Sequence, residues 1–322
     1  MKPVISGILR LALGLAAAFA VATAYAQTFP TKPIRMLASG VGGGGDFTAR
    51  LIAGGLTQSL GQQVIVDNRP GGLVPGEIVA KATPDGHTLM FVGIVIWLSP
   101  FMRSTMPFDP VRDFAPITLA VTVPNVLVVN PGLGVKSVPE LIAYAKQKPG
   151  VLNYATSGSG NSNHIAGELF KKMAGVNLVQ VNYRGAALAL NDLLSGRVQV
   201  MFATATAAAP HVASGKLTAL GVTSAKPTPL VPGVPTVAAS GLPGYESGST
   251  LGAFAPAGTP AAIINLLNKE IVQVLNSPQS KERLFRSGIE VVGSSPAQFA
   301  AAIKADMALT GKVIREAGIR TD

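Results

Sequence analysis

The sequence contains no cysteine among its 322 residues. Without thiols the chain cannot form a disulfide scaffold, a thiolate zinc site or a cysteine nucleophile. Charged residues are also few, at 13% of the chain against about 25% in a typical soluble protein, whereas hydrophobic residues reach 48%. This apolar share excludes intrinsic disorder, and the length favours two domains rather than one.

Histidine is scarce as well. His87, His164 and His211 lie far apart along the chain and show no metal-ligand spacing, and no Gly-x-Ser-x-Gly nucleophile elbow occurs. His164 is close in sequence to several serines, whereas the members of a catalytic triad usually come from separate segments. The sequence therefore predicts neither a metal site nor a catalytic residue.

The formal net charge of +10 would suit a nucleic-acid-binding protein only if the basic residues were clustered. They are scattered, and the densest groups are Lys171-Lys172 and the trio Lys281, Arg283 and Arg286. No aromatic residues alternate with them, as they do in single-strand binders. We expect solvated helix faces, no nucleic-acid partner, and a mild positive field that raises the encounter rate with small anions.

The first 26 residues have the pattern of a secretory signal peptide. Lys2 and Arg10 precede an apolar run over 11–21, which is too short to span a bilayer, and Ala24-Tyr25-Ala26 forms a small-residue cleavage site. No cysteine follows the site, so a lipid anchor is excluded. We expect cleavage after Ala26 and a soluble periplasmic product whose net charge is lower by the two basic residues removed.

The mature sequence alternates short apolar runs with helical periodicities, which predicts an α/β architecture with parallel strands. A proline- and glycine-rich stretch at 226–249 predicts a long ordered loop. The predicted strands are 34–38, 63–67, 88–92, 117–123, 126–129, 152–155, 178–181, 198–202, 217–222 and 251–255. The predicted helices are 46–60, 76–82, 137–147, 162–174, 186–194, 205–213, one opened by Thr259-Pro260 that runs to 275, and one opened by Ser295-Pro296.

The order of these elements predicts two α/β lobes. The break at Pro124-Asn125 and the return of the chain near 254 assign 27–125 plus 254–322 to the first lobe and 126–253 to the second. Two crossings of this kind form a hinge with a cleft between the lobes. Trp97 and its apolar neighbours are interpreted as core.

A glycine-rich junction, Gly40 to Asp46, lies between the first predicted strand and the first predicted helix. Glycines let the backbone approach a ligand closely, and the free N–H groups at a helix N-terminus attract anions. Phosphate or carboxylate oxygens would both fit there. Asp46 is interpreted as the N-cap of the helix.

The same junction also fits a dinucleotide fingerprint. Gly40, Gly42 and Gly45 satisfy G-x-G-x-x-G, and Asp67 ends the next strand at the usual distance. An NAD-dependent oxidoreductase is thus the alternative function. Four consecutive glycines satisfy many patterns by chance, however, and a soluble nicotinamide cofactor is not expected in an exported protein.

A second polar junction, Thr156 to His164, leads from a predicted strand into a helix in the second lobe. Its hydroxyls, amides and backbone N–H groups predict a second anion-binding loop, and an N-capping loop is the simpler alternative. Two such loops facing each other across a cleft suit a ligand with polar groups at both ends.

Nine stretches of the mature chain, in one order, resemble the Bug family of periplasmic solute-binding proteins, the receptors of tripartite tricarboxylate transporters. The matching stretches are 29–35 (FPTKPIR), 60–71 (LGQQVIVDNRPG), 84–89 (PDGHTL), 113–117 (DFAPI), 124–131 (PNVLVVNP), 166–170 (AGELF), 235–237 (PTV), 241–246 (GLPGYE) and 255–260 (APAGTP). The resemblance implies a two-lobed periplasmic-binding-protein fold, type II-like, that closes on a small carboxylate. It implies a membrane permease as partner, no cofactor and no enzymatic activity, and we expect a monomer.

The resemblance also implies which residues bind the ligand, chiefly through backbone N–H groups and water. They are Ser39, Gly42, Gly43, Gly44, Gly45 and Asp46 in the first lobe, and Ser157, Gly158, Ser159, Gly160, Asn161, Ser162, His164, Tyr183, Gly185, Ala203 and Thr204 in the second. The sequence departs from the family pattern at the first loop, which is one residue shorter and lacks the usual proline, aromatic residue and threonine. It also has Ala203 where the family usually has aspartate and Thr250 where an aromatic residue is frequent. An adhesin or regulatory protein on the same scaffold is a third possible class.

Overall fold

The computed structural model describes residues 29–38, 40, 44–69, 73–158, 160–183 and 185–321. The expected signal peptide and the expected ligand residues Ser39, Gly42, Gly43 and Ser159 lie outside these ranges. The strands are β1 (Ile34–Ala38), β2 (Val64–Asn68), β3 (Thr88–Gly93), β4 (Phe114–Val129), β5 (Asn153–Thr156), β6 (Val179–Asn182), β7 (Val200–Thr204), β8 (Thr218–Val222), β9 (Gly248–Pro256) and β10 (Glu290–Val291). The helices are α1 (Gly44–Leu60), α2 (Val74–Ala80), α3 (Val95–Met102), α4 (Val138–Gln147), α5 (Ser162–Ala174), α6 (Ala186–Leu194), α7 (Ala205–Ala213), α8 (Ala261–Asn276), α9 (Pro278–Arg286) and α10 (Pro296–Glu316).

The strands form two sheets that share β4. The first has the order β2-β1-β3-β9-β4, with β10 also paired to β4, and the second has the order β4-β7-β5-β6, with β8 also paired to β4. β1 is parallel to β2 and β3, and β5 is parallel to β6 and β7. The two predicted ligand loops follow the carboxyl ends of β1 and β5, which are strands of these parallel pairs.

The prediction of a break at Pro124-Asn125 between two strands is wrong. Instead of two strands at 117–123 and 126–129, β4 is continuous through Pro124 and Asn125. Pro124 is opposite Gly248 of β9, and Asn125 is opposite Thr204 of β7, so the strand exchanges its neighbours at this point. A proline, which has no N–H to donate, is tolerated where a strand changes partners.

Several helix boundaries are confirmed. α5, α6 and α7 have the predicted bounds, and α5 is followed by Gly175 with φ 63°, the left-handed conformation of a glycine stop. α10 begins with a full capping box in which Ser295 and Gln298 each bond the other's backbone. At α4 the Ser137 side chain accepts from the Glu140 N–H. The Glu140 carboxylate accepts from the backbone N–H of Lys136 and not from that of Ser137, so this capping box is not reciprocal.

Three expectations about elements differ from the structure. α8 begins at Ala261, and the Thr259 hydroxyl donates to the Pro256 carbonyl at 2.8 Å instead of capping the helix. The apolar run around Trp97 forms the helix α3, which was predicted only as core. Short apolar runs do not distinguish a buried helix from a buried strand, which explains this omission. α9 and β10 were not predicted.

Helices cover both faces of each sheet, which leaves the central strands buried and the edge strands β2 and β6 partly exposed. The first sheet lies between α1 with α8 on one face and α3 with α10 on the other. The second lies between α4 with α5 and α6 with α7. Phe299, Ile303 and Met307, spaced four residues apart on α10, contact the core between this helix and the first sheet. Across the described ranges, every helix is too short or too polar to cross a membrane.

Candidate functional site

The first predicted ligand loop connects the carboxyl end of β1 to the N-terminus of α1. Gly40 is exposed, and a Cβ added to it would meet no atom within 4 Å. Gly44 and Gly45 form the first turn of α1, close to Ile289 and Leu251 respectively. The backbone N–H groups of this turn have no helical acceptor, so they are available to an anion.

Asp46 is not the N-cap of α1, because the helix already begins at Gly44. Its buried carboxylate forms an ion pair with Arg50 at 2.9 Å and accepts from the Asn68 side-chain amide at 2.9 Å. A carboxylate in the first turn also interacts favourably with the helix dipole. Asp46 therefore joins α1 to the end of β2 and has a structural role.

The second predicted ligand loop, 157–161, requires glycine at two positions. Gly158 has φ 147° and Gly160 has φ 76°, both outside the usual range of other residues. A Cβ on Gly158 would lie 2.7 Å from the Asn161 side-chain nitrogen, and one on Gly160 would lie 3.1 Å from the Met102 sulfur. The loop thus lies beside the end of α3, a helix that packs on the first sheet.

Asn163, at the second position of α5, was missed by the sequence analysis. Its side chain is 7% exposed, and its Nδ2 donates to the Ser157 hydroxyl at 2.8 Å. Its Oδ1 is buried and has no hydrogen-bond partner. The only signal in the sequence is an amide residue among small polar neighbours, and it does not reveal burial.

His164 holds the second loop in place. It is buried, and its Nδ1 accepts the Gly160 N–H at 3.1 Å. Burial lowers the pKa of His164; Glu168 raises it and Lys171 lowers it, with a net decrease. The neutral imidazole is therefore favoured, and its Nδ1 remains an acceptor for the loop.

The remaining predicted ligand residues lie at the ends of β6 and β7. The Tyr183 hydroxyl donates to Asp192 at 2.9 Å, and Gly185 precedes α6 with φ 116°. Ala203 is buried, and Thr204 is the N-cap of α7 but makes no side-chain capping bond. Burial, followed by the hydrogen bond to Asp192, raises the pKa of Tyr183, so its hydroxyl stays protonated.

Strand register brings the start of the second ligand loop, the end of β7 and Asn125 of β4 to the same end of the second sheet. β5 is paired with β7 at Ala155 and Met201, and the same register brings Ser157 to the level of Ala203. β4 is paired with β7 at Asn125 and Thr204. Asn125 is fully buried, and neither its Oδ1 nor its Nδ2 has a partner. Two buried amides with unpaired atoms, Asn125 at both its Oδ1 and Nδ2 and Asn163 at its Oδ1 alone, therefore belong to segments at this end of the sheet.

A cavity of about 300 Å³ lies beside the crossing strands. Its walls combine Trp97 of α3, Ile165 of α5 and residues of α10 with Thr122 and Thr250 from β4 and β9. The Trp97 indole donates to Asp306 at 2.6 Å. None of the described residues in the expected ligand set contributes to its walls. Trp97 is a buried core residue, as expected, and it also borders this cavity, where elements of the two sheets meet.

Asp67 does not have the free carboxylate that a ribose contact requires. It accepts from Arg35 at 2.8 Å and from Arg69 at 3.0 Å. Burial raises the pKa of Asp67, but the bonds from Arg35 and Arg69 outweigh it and hold the value below the usual range. Its surroundings are those of a surface ion-pair cluster. Within the described ranges, no group of histidine, aspartate and glutamate side chains could hold a metal ion.

Comparison with known proteins places these features in a family. The model described as the tripartite tricarboxylate transporter family receptor matches residues 48–319. A UPF0065 protein from a Pseudomonas strain is 37% identical over 314 residues, with 95% of this chain and 94% of the relative covered.

Solved structures show the same architecture. A protein of R. palustris solved with adipate is 37% identical, has a TM-score of 0.73, and is matched over 91% of this chain and 99% of its own. MatC from Rhodopseudomonas palustris with bound malate is 28% identical, has a TM-score of 0.70, and is matched over 89% of this chain and 100% of its own. The expected two-lobed periplasmic-binding-protein fold is confirmed, whereas the oxidoreductase alternative finds no support.

Proposed function

This chain belongs to the tripartite tricarboxylate transporter family receptors, and from that premise we propose that it captures a small carboxylate and delivers it to a membrane permease. The observation that supports this most directly is the likeness over nearly the whole chain to one protein solved with adipate and another solved with malate. Both are dicarboxylates, so a ligand with a carboxylate at each end is the first candidate.

The geometry of the two loops suits such a ligand. Each loop leaves the carboxyl end of a parallel strand and enters a helix, where backbone N–H groups and the helix dipole favour an anion. The loop before α1 would bind one carboxylate, and the loop before α5 would bind the other. The expected ligand set, with His164 and Asp46 in supporting roles, remains a proposal.

We propose 27–125 plus 254–322 as the first lobe and 126–253 as the second, with one amendment. Because β9 (Gly248–Pro256) pairs along its length with β3 and with 114–124 of β4, we set the return crossing just before Gly248. β4 and the segment that leads into β9 link the two, and we propose the hinge where β4 changes partners, from β9 at Pro124 to β7 at Asn125. Ligand binding drives closure only if the closed state binds the ligand more tightly. Closure would bring the two loops together around the ligand.

Export to the periplasm is the cellular side of the proposal. Residues 1–26 have the signal-peptide pattern, and cleavage after Ala26 would leave Gln27 at the N-terminus. Mass spectrometry of protein from the periplasmic fraction should find a chain that begins at Gln27. A chain that retains Met1 and stays in the cytoplasm would contradict export.

A calorimetric and thermal-shift screen tests the binding function. The probes are succinate, malate, adipate and citrate, with NAD as the probe of the oxidoreductase alternative. We expect at least one acid to bind saturably, at one site per chain, and NAD not to bind. Size-exclusion chromatography with light scattering should show that the protein is a monomer. Absence of binding by every acid, or binding of NAD alone, would overturn the proposal. A non-enzymatic receptor should also release its acid chemically unchanged.

A further inference from the structure

The unpaired Oδ1 of Asn163 needs a hydrogen-bond partner. A buried amide oxygen without one has lost its hydrogen bonds to water and gained none in return, and native proteins retain few such groups. The Nδ2 of the same side chain donates to the Ser157 hydroxyl, so the amide group lies against the second ligand loop. Asn163 thus has one buried, unpaired oxygen next to a loop of the proposed carboxylate site.

The chemistry of the carboxamide limits what can fill that position. The Ser157 hydroxyl can accept from the Asn163 nitrogen or donate to its oxygen, so a rotation of the amide exchanges the group offered to the ligand. The free group is then an acceptor in one orientation and a donor in the other. A hydroxyl satisfies both, because it donates and accepts.

The charges near the second loop favour a neutral partner over an ammonium group. Glu168, one turn along α5 from His164, already accepts from the Tyr154 hydroxyl and from Lys171 at 2.8 Å. Ala203, at the level of Ser157, has no charge to offer. Asp46 is the only carboxylate among the described residues of the expected ligand set, and it is paired with Arg50. An ammonium group buried here would lack a counter-charge, which is costly.

We propose that Asn163 is a specificity-determining residue that hydrogen-bonds a hydroxyl group on the carboxylate ligand, so that the protein selects hydroxy acids over the corresponding unsubstituted acids. This inference rests on the proposed carboxylate-binding function. It adds the chemical class of the ligand and the residue that recognises it.

The test compares acids that differ at one substituent. Succinate, malate and aspartate have hydrogen, hydroxyl and ammonium at the same carbon, and adipate, 2-hydroxyadipate and 2-aminoadipate repeat the series on a longer chain. Calorimetry on the wild type should give about tenfold tighter binding of the hydroxy acid than of its unsubstituted partner. In Asn163→Ala the two should bind within about twofold. Asn191→Ala, which truncates an exposed amide on α6, should retain the wild-type preference.

The outcomes separate the inference from the function on which it rests. Equal binding of the hydroxy and unsubstituted acids, an unchanged preference in Asn163→Ala, or a preference for the amino acid would each overturn the hydroxyl assignment while leaving carboxylate binding intact. Failure of all six acids to bind would overturn the proposed function itself. The thermal midpoint of each ligand-free variant is measured first, and Asn163→Leu replaces Asn163→Ala if the latter does not fold.

Discussion

His164 supports the proposed ligand loop before α5 as a buried acceptor for the Gly160 N–H. Protonation would place a hydrogen on Nδ1 and abolish the bond from the Gly160 N–H, and it would leave a charge in a partly apolar site. A ligand loop that depends on one unprotonated imidazole is sensitive to acid. This sensitivity leads to a pH-dependence that can be measured.

The free energy of unfolding should decrease as the pH falls below about 6.5. The pKa of His164 is lowered in the folded protein relative to the ordinary value of 6.5, so the unfolded chain binds the proton first. The contribution is constant above 6.5, decreases as the pH falls towards the folded pKa, and levels off below it. Urea titrations between about pH 5 and 8 should show this dependence reduced in His164→Gln. His211→Gln should follow the wild-type profile, and a wild-type curve that coincides with His164→Gln would contradict the assignment.

Gly40 is the residue at which the first loop can be tested without disturbing the fold. A Cβ there meets nothing within 4 Å, so Gly40→Leu should preserve the thermal midpoint while placing a side chain where the ligand approaches the backbone. We expect binding of the best acid in the calorimetric panel to weaken by at least about tenfold, or about 1.4 kcal/mol. Gly54→Leu, which also has open space around it on α1, is the matched control and should bind normally. Unchanged affinity in Gly40→Leu would exclude this loop from the site.

At the level of whole elements, α1 illustrates how two adjacent glycines have different roles. A Cβ on Gly54 would be free of contacts, whereas one on Gly55 would lie 2.3 Å from Val274 of α8. Gly55 therefore permits close packing of α1 against α8, and Gly54 only lowers helix stability. The sequence contains both glycines but does not distinguish between them.

Replacing each glycine with alanine should change stability in opposite directions. Gly54→Ala should raise the free energy of unfolding by about 0.5–1 kcal/mol, because alanine is the better helix former. Gly55→Ala should lower it by about 1–3 kcal/mol, because the added methyl forces α1 away from Val274. Urea unfolding of the two variants measures both effects. Equal shifts for the two would show that the packing of α1 on α8 does not require glycine.

Elements were predicted well where local signals set them. Glycine stops, serine caps and 3.6-residue periodicity located α5, α6, α7 and the start of α10. β4 was predicted as two strands because Pro124 is a local breaker, and its continuity depends on β9 and β7, which are distant in sequence. Asp46 was misassigned as an N-cap for a similar reason, since its partners Arg50 and Asn68 lie outside the turn.

For the molecule as a whole, the proposed function requires movement of one lobe relative to the other. Trp97 is the single tryptophan of the chain, and it lines the cavity where α3, α5, α10 and the crossing strands meet. Its indole nitrogen is bonded to Asp306 of α10. Movement of α5 relative to the first sheet would therefore change the surroundings of this ring.

Tryptophan fluorescence should consequently report closure. Addition of a saturating acid from the calorimetric panel should shift the emission maximum or intensity of the wild type, with the same midpoint as the calorimetric titration. Trp97→Phe keeps an aromatic ring in the core and should bind the acid within about threefold but lose the signal. A fluorescence signal that does not change at full calorimetric saturation would argue against closure around this cavity.

Local patterns and long matching stretches were enough to predict the family, the α/β class, the order of most elements and the two loops that leave strand ends. The folded arrangement was needed to see that β4 runs unbroken between the sheets, that Asp46 and Asp67 are paired with arginines, and that Asn163 is buried with one unpaired atom. The physical reason is that burial and pairing are properties of a residue's neighbours in space. Those neighbours come from segments far away in the chain, so no local pattern records them.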